Sequence, residues 1–198
     1  MTTAASWATR DTPHHTVAEV ARYAGLSQST IRRWLKLAGR TAPIRASHLD
    51  LMELAVAQAF LRAGCRWEAM RVLRGMLAKE FANARPFADV RMKDSAAWGN
   101  LIPDAIRDYG VALADTLASL DYSDNLAVRW YPRGRGNPVI VDARYGFGSP
   151  TVGGVNTWAL AGRARGGGDV DIIAEEYDLT AEEVRAALEF EGVEEAES

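Results

Sequence analysis

Residues 16–45 run Thr16-Val-Ala-Glu-Val-Ala-Arg-Tyr-Ala-Gly25-Leu-Ser-Gln-Ser-Thr-Ile-Arg-Arg-Trp-Leu-Lys-Leu-Ala-Gly-Arg40-Thr-Ala-Pro-Ile-Arg45. Thr16 and Glu19 have the Thr-x-x-Glu spacing of a capping box, in which each side chain satisfies the other residue's free backbone amide. Val17, Val20, Ala21 and Ala24 follow at helical intervals and make one apolar face. Gly25 tolerates the left-handed conformation that ends a helix, and Ser27 is a good N-cap for a second one. That second helix turns Ile31, Trp34, Leu35 and Ala38 inward and leaves Gln28, Ser29, Arg32, Arg33 and Lys36 outward. Pro43, flanked by Arg40 and Arg45, predicts a short basic hairpin after it, a candidate wing. Together these signals predict a helix-turn-helix over residues 16 to about 46.

A helix with a polar first turn and a basic flank suits the major groove of DNA. Ser27, Gln28, Ser29 and Thr30 would address base edges or nearby phosphates. Arg32, Arg33, Lys36, Arg40 and Arg45 would hold phosphates. Two amphipathic helices about a glycine turn are also simply a helical hairpin. The agreement of caps, turn and exposed charge favours the DNA-binding alternative.

Working outward, Met1 to His15 lacks periodicity and is expected to be a flexible arm. Ser47 and Asp50 cap another helix reaching about Ala63, with Leu51, Leu54, Ala55, Ala59 and Phe60 on or beside its apolar stripe. A further helix over 67–81 spaces Trp67, Met70, Leu73, Leu77 and Phe81 by threes and fours. These two helices are expected to be core and dimer scaffold, within a DNA-binding unit over 16–82. Residues 83–145 predict a small α/β linking region: strands at Val90–Met92, Leu120–Tyr122, Leu126–Tyr131 and Val139–Val141, and a helix from about Asp104 to Leu117. The run Arg129-Trp-Tyr-Pro-Arg-Gly-Arg-Gly136 mixes cations with aromatics as single-strand nucleic-acid surfaces do, but a strand ending in a glycine turn explains it as well. Residues 146–191 predict a separate C-terminal domain. It opens on an extended arm over 147–155, then a helix capped by Thr157, then two short helices about a Leu179-Thr180 turn. Residues 192–198 are an acidic tail. The expected fold class is mainly α: an N-terminal (winged) helix-turn-helix, a helical scaffold with a small antiparallel sheet, and a C-terminal helix-turn-helix-like domain.

Charge divides the chain. Residues 1–82 carry 12 Lys/Arg against 6 Asp/Glu, a net of +6. Residues 139–198 carry 4 Arg against 13 Asp/Glu, a net of −9. A basic head and an acidic rear predict two different partners, one of them a polyanion. The lone Cys65 cannot form an internal disulfide and fits a reducing compartment. With no bilayer-length apolar run and no leader pattern, a cytoplasmic protein without membrane contact is expected.

Gly148, Pro150, Gly153, Ile173, Ala174, Tyr177, Leu179, Thr180, Glu183, Val184, Ala187 and Leu188 together resemble an antitoxin family long known only as a domain of unknown function. The chain departs from that pattern after Gly154, where the family's arginine has no counterpart. With the front helices and Arg129-Trp130-x-Pro132, residues 16–191 resemble the longer, VapB-like branch, which places a MerR-like helix-turn-helix ahead of the antitoxin domain. The resemblance implies a type II toxin–antitoxin system: an antitoxin that neutralises a cognate PIN-like ribonuclease toxin and, as a homodimer, represses transcription from its own operator DNA. For neutralisation, Glu175, Glu176, Glu182 and Glu183 would mimic RNA, or Arg163 or Arg165 would pair with carboxylates of the toxin's metal site. The alternative is a MerR-like transcriptional regulator that senses a small molecule. His14, His15 and His48 with Cys65 have no metal-ligand spacing, and no phosphate loop or nucleophile elbow is present. No enzyme activity, metal or cofactor is therefore expected.

Overall fold

A computed structural model describes residues 10–94 and 113–193. They form a mainly α structure with small antiparallel sheets. The first half comprises β1 (His15–Thr16), α1 (Val17–Ala24), α2 (Gln28–Leu37), β2 (Arg45–Ala46), α3 (His48–Arg62) and α4 (Trp67–Glu80). The Thr16–Glu19 capping box starts α1, and Gly25 ends it at φ 59°, ψ 34°. Ser27 caps α2 by accepting from the Thr30 amide. β1 and β2 pair antiparallel, His15 opposite Ala46, so the hairpin expected about Pro43 does not form: Arg45–Ala46 takes its partner from the strand ahead of α1, and residues 38–44 hold no strand.

The second helical pair is less symmetric than its sequence. Every residue of α3 from His48 to Phe60 is buried, so it is the central helix of the core and has no wet face there. A one-sided stripe understates this, because Ala55, Ala57 and Ala59 are small enough to admit neighbours on several sides. Its buried charges have partners: Asp50 meets Arg40 and Arg85, and Glu53 meets Arg74. α4 packs one face inward and leaves Val72 and Met76 51% and 39% exposed.

Residues 10–15 depart from the expected arm. His15 is buried in the β1 pairing, Asp11 joins an ion-pair cluster, and the Arg10 carbonyl accepts from the Leu49 amide at 3.0 Å. Residues 1–9 of that arm lie outside the described residues. Beyond α4, the strand expected at Val90–Met92 is a 3-10 turn over Val90–Lys93. The Asp89 carboxylate takes the Arg91 amide at 3.0 Å and curls the chain. Residues 113–118 are helical; the rest of the helix expected from Asp104 lies outside the described residues.

A five-stranded antiparallel sheet follows in sequential order: β3 (Leu120–Ser123), β4 (Leu126–Trp130), β5 (Ile140–Asp142), β6 (Pro150–Val152) and β7 (Val155–Asn156). Asp124 and Asn125 both take positive φ in the β3–β4 turn, as a tight hairpin requires. The arm expected over 147–155 is instead a 3-10 turn at Gly146–Gly148 followed by the β6–β7 hairpin. The boundary expected at 145/146 thus falls inside a sheet.

Three helices complete the chain: α5 (Thr157–Arg165), α6 (Val170–Tyr177) and α7 (Ala181–Phe190). Asn156, not Thr157, is the N-cap of α5. The Thr157 hydroxyl is buried and donates to Glu191 at 2.6 Å instead. Buried apolar side chains fall into two clusters, one running from Val17 to Val141, the other from Val139 to Leu188, and Phe190 packs against both.

Candidate nucleic-acid interface

The outward face of α2 follows from how its inward face is held. Ile31, Trp34 and Leu35 are fully buried. The Trp34 ring lies 5.5 Å from Phe87 and 6.1 Å from Trp67, centroid to centroid, with the Arg74 guanidinium 5.4 Å above it. A helix anchored by so large a side chain cannot rotate, so Gln28, Ser29, Arg32, Arg33 and Lys36 are committed to solvent.

Within that face, Ser27 is linked to the Ser29 and Thr30 hydroxyls at 2.9 Å each, so the first turn presents hydroxyls already oriented. Gln28 accepts from Arg32 at 3.1 Å one turn later. Arg33 is steered aside: it stacks 4.4 Å over Trp67 and reaches Glu68 at 3.8 Å. Lys36 extends into solvent from the last turn. Arg45 lies exposed on β2 and spends one N–H on the His14 carbonyl at 2.8 Å. The structure therefore brings Ser27, Gln28, Ser29, Thr30, Arg32 and Lys36 onto one surface, with Arg33 and Arg45 at its margins.

Arg40 does not belong there. Its Nε donates to Asp50 at 2.7 Å and its Nη2 to Ser47 at 2.9 Å, and it also pairs with Asp11. Arg85 closes the cluster, 3.2 Å from Asp50 and 3.0 Å from Asp11. Burial opposes ionisation of Asp11, but Arg85 and Arg40 outweigh it and hold the carboxyl below its usual range. A guanidinium committed to two carboxylates has no fork left for phosphate, so Arg40 is a positioning residue that ties the end of α2 to the start of α3. Sequence proximity to the wing suggested otherwise; Asp11 and Arg85 reach Arg40 from distant segments that local spacing does not reveal.

The acidic rear also differs in detail from expectation. Arg163 is held bidentately by Glu176, at 2.9 and 2.8 Å, which removes both from the set of free charges. Glu183 closes the Thr180 capping box. Arg165 reaches the Glu191 carbonyl at 3.5 Å. Glu175 and Glu182 remain exposed. Within the Arg129–Gly136 run, Arg129 pairs with Asp142 at 2.8 Å and Arg135 with Asp121 at 2.7 Å, so this segment is chiefly a strand and turn with internal pairs. Among the described residues no group of three or more His, Cys, Asp or Glu could hold a metal ion, and no helix is long and apolar enough to cross a membrane.

The architecture has a counterpart among solved structures. It is similar to the crystal structure of Rv2018 from Mycobacterium tuberculosis, with a TM-score of 0.74 over 90% of this chain and 98% of that one. Sequence identity is 21%, so the likeness shows the fold alone. No protein-family model and no curated protein matches the chain.

Proposed function

We propose that this protein is a DNA-binding antitoxin of a type II toxin–antitoxin pair. In this proposal α1 and α2 act as a helix-turn-helix, the two-stranded ribbon in which β2 pairs with β1 flanks it, and α2 enters the major groove. Ser27, Gln28, Ser29 and Thr30 approach bases or flanking phosphates, while Arg32, Lys36 and the marginal Arg33 and Arg45 neutralise phosphates. A second copy docks on the apolar strip that Val72 and Met76 leave on α4, giving two half-sites about one helical turn apart. The acidic C-terminal third, with Glu175 and Glu182 still unpaired at its surface, receives a PIN-like ribonuclease toxin whose RNA-binding rim is basic.

The observation that carries the proposal is the surface of α2, a rigidly anchored helix whose solvent face is polar and cationic without one carboxylate of its own. The resemblance of the C-terminal motif supplies the toxin half. The experiment is a mobility shift of the full chain on the DNA upstream of its own reading frame, with and without the product of the adjacent gene. A salt-sensitive complex that the second protein supershifts is expected. Failure to bind that DNA at low salt, or no association with the neighbouring product, overturns the corresponding half.

A further inference from the structure

A second cationic feature lies away from the α2 face, where α1, α3 and the end of α7 meet beside the loop after β4. There a cleft of about 140 Å³ is lined by Arg22, Gln58, Arg62 and Arg133 over the rings of Tyr23 and Phe190. No carboxylate lines it. Arg22 is paired with the buried Glu191, whose other oxygen accepts from Thr157. Arg62 and Arg133, by contrast, make no ion pair among the described residues. Gln58 is only 9% exposed, and its side-chain amide has no hydrogen-bond partner among the described residues.

That amide is aimed at the cleft. A Cβ placed on Gly25 would lie 2.9 Å from Gln58 Nε2 and 3.6 Å from an Arg62 Nη. Both donors therefore converge on Gly25, which has no side chain to fill the space. The Gln58 side chain is held by the core, but its amide atoms open onto the cleft, where they are free to meet a ligand. Donors from Gln58, Arg62 and Arg133, beside an Arg22 whose charge Glu191 already meets, and with no carboxylate in the lining, select an anion. The volume is far above the ~15 Å³ that admits one water and below the ~300 Å³ of pockets that enclose a whole drug-sized ligand. It matches a single compact oxyanion group, and forked guanidinium groups favour phosphate geometry.

We infer that this cleft binds a phosphate group. Arg22, Gln58 and Arg62 come from α1 and α3 and Arg133 from the loop after β4, over the Phe190 ring, so the bound group would tie that loop to the helical core. The inference is independent of the role assigned to α2.

The test is thermal unfolding of the full chain with inorganic phosphate replacing chloride at fixed ionic strength. A rise in Tm of about 3–5 °C is expected once phosphate reaches about ten times its dissociation constant. The Arg62→Gln/Arg133→Gln variant, altered only at exposed side chains, should lose that rise, with affinity at least about tenfold weaker. Arg66→Gln, exposed and outside the cleft, should keep it. An equal rise in the double variant, or no rise in the wild type, overturns the inference. So does a double variant that binds a DNA duplex less well while free phosphate shifts nothing, since the cleft would then serve the duplex backbone.

Discussion

Arg40 Nε lies 2.7 Å from Asp50 Oδ2, and this contact joins the segment after α2 to the capping box that starts α3. Asp50 is fully buried and simultaneously accepts from the Ser47 amide at 2.9 Å. Removing Arg40 leaves Asp50 with Arg85 as its remaining cation. Arg40→Ala should therefore lower stability by roughly 1.5–3 kcal/mol, the range for hydrogen bonds to charged groups. Arg40→Lys should recover only part of the loss, because an ammonium cannot serve Asp50 and Ser47 in the guanidinium's planar geometry. Urea denaturation reads both, and a neutral Arg40→Ala would show that the cluster contributes nothing.

Arg32 and Lys36 make the opposite prediction. Both are exposed and neither is held by a carboxylate of the chain, so Arg32→Ala/Lys36→Ala should leave the urea midpoint within about 0.5 kcal/mol of wild type. If α2 lies along a duplex, the double variant should bind upstream DNA more weakly, and its plot of log K against log salt should be shallower by about 1.8. An unchanged slope places the DNA elsewhere.

The contrast between Arg40 and Arg32 marks where sequence ceases to be informative. Thr16–Glu19, Ser47–Asp50 and Thr180–Glu183 are readable because each capping box closes within four residues. Gly25 is readable for the same reason. The fate of a surface arginine depends on what comes near it from far along the chain: Asp11 and Arg85 for Arg40, Glu176 for Arg163, Trp67 for Arg33. Val90–Met92 reads as a short strand-like piece, but the Asp89 carboxylate captures the Arg91 amide and curls the backbone into a 3-10 turn. The cleft beside Gly25 left no sequence signal, since Arg22, Gln58, Arg62 and Arg133 share neither a helix face nor a motif.

Acid should expose the buried histidines. His48 donates from Nε2 to the Val128 carbonyl at 2.9 Å, while Nδ1 is buried without a partner beside Gly148. Burial pushes its pKa down from 6.5 to about 4, and burial with help from His14 takes His15 to about 3. Between these values and 6.5 the unfolded chain binds more protons than the folded one. Stability is therefore intact above pH 6.5 and falls as the pH drops toward 4, by up to roughly 2 kcal/mol per histidine at pH 5. The carboxylates held below their usual range, Asp11, Asp89 and Asp142, lose their contribution only at lower pH. The gap between urea midpoints at pH 7.5 and 5 should narrow in His48→Gln, which keeps a donor for Val128 but cannot gain charge. An unaltered gap would assign the acid sensitivity to other groups.

Gly25→Ala tests the turn between α1 and α2 on two counts. At φ 59° and ψ 34° an alanine sits in the left-handed region, a conformation that costs a non-glycine residue about 1–2 kcal/mol. The new methyl also meets Gln58 Nε2 at 2.9 Å, closer than real Cβ contacts come, so the amide must turn away. The backbone part cannot be relieved by any neighbour, but the steric part can. Gly25→Ala should therefore lower Tm by about 3–6 °C for a chain of this size. In the Gln58→Ala background the same substitution should cost less, leaving only the backbone share. Thermal unfolding of the four proteins gives the coupling directly. If the two changes simply add, the amide does not face Gly25, and the donor cluster described for the cleft loses its central member.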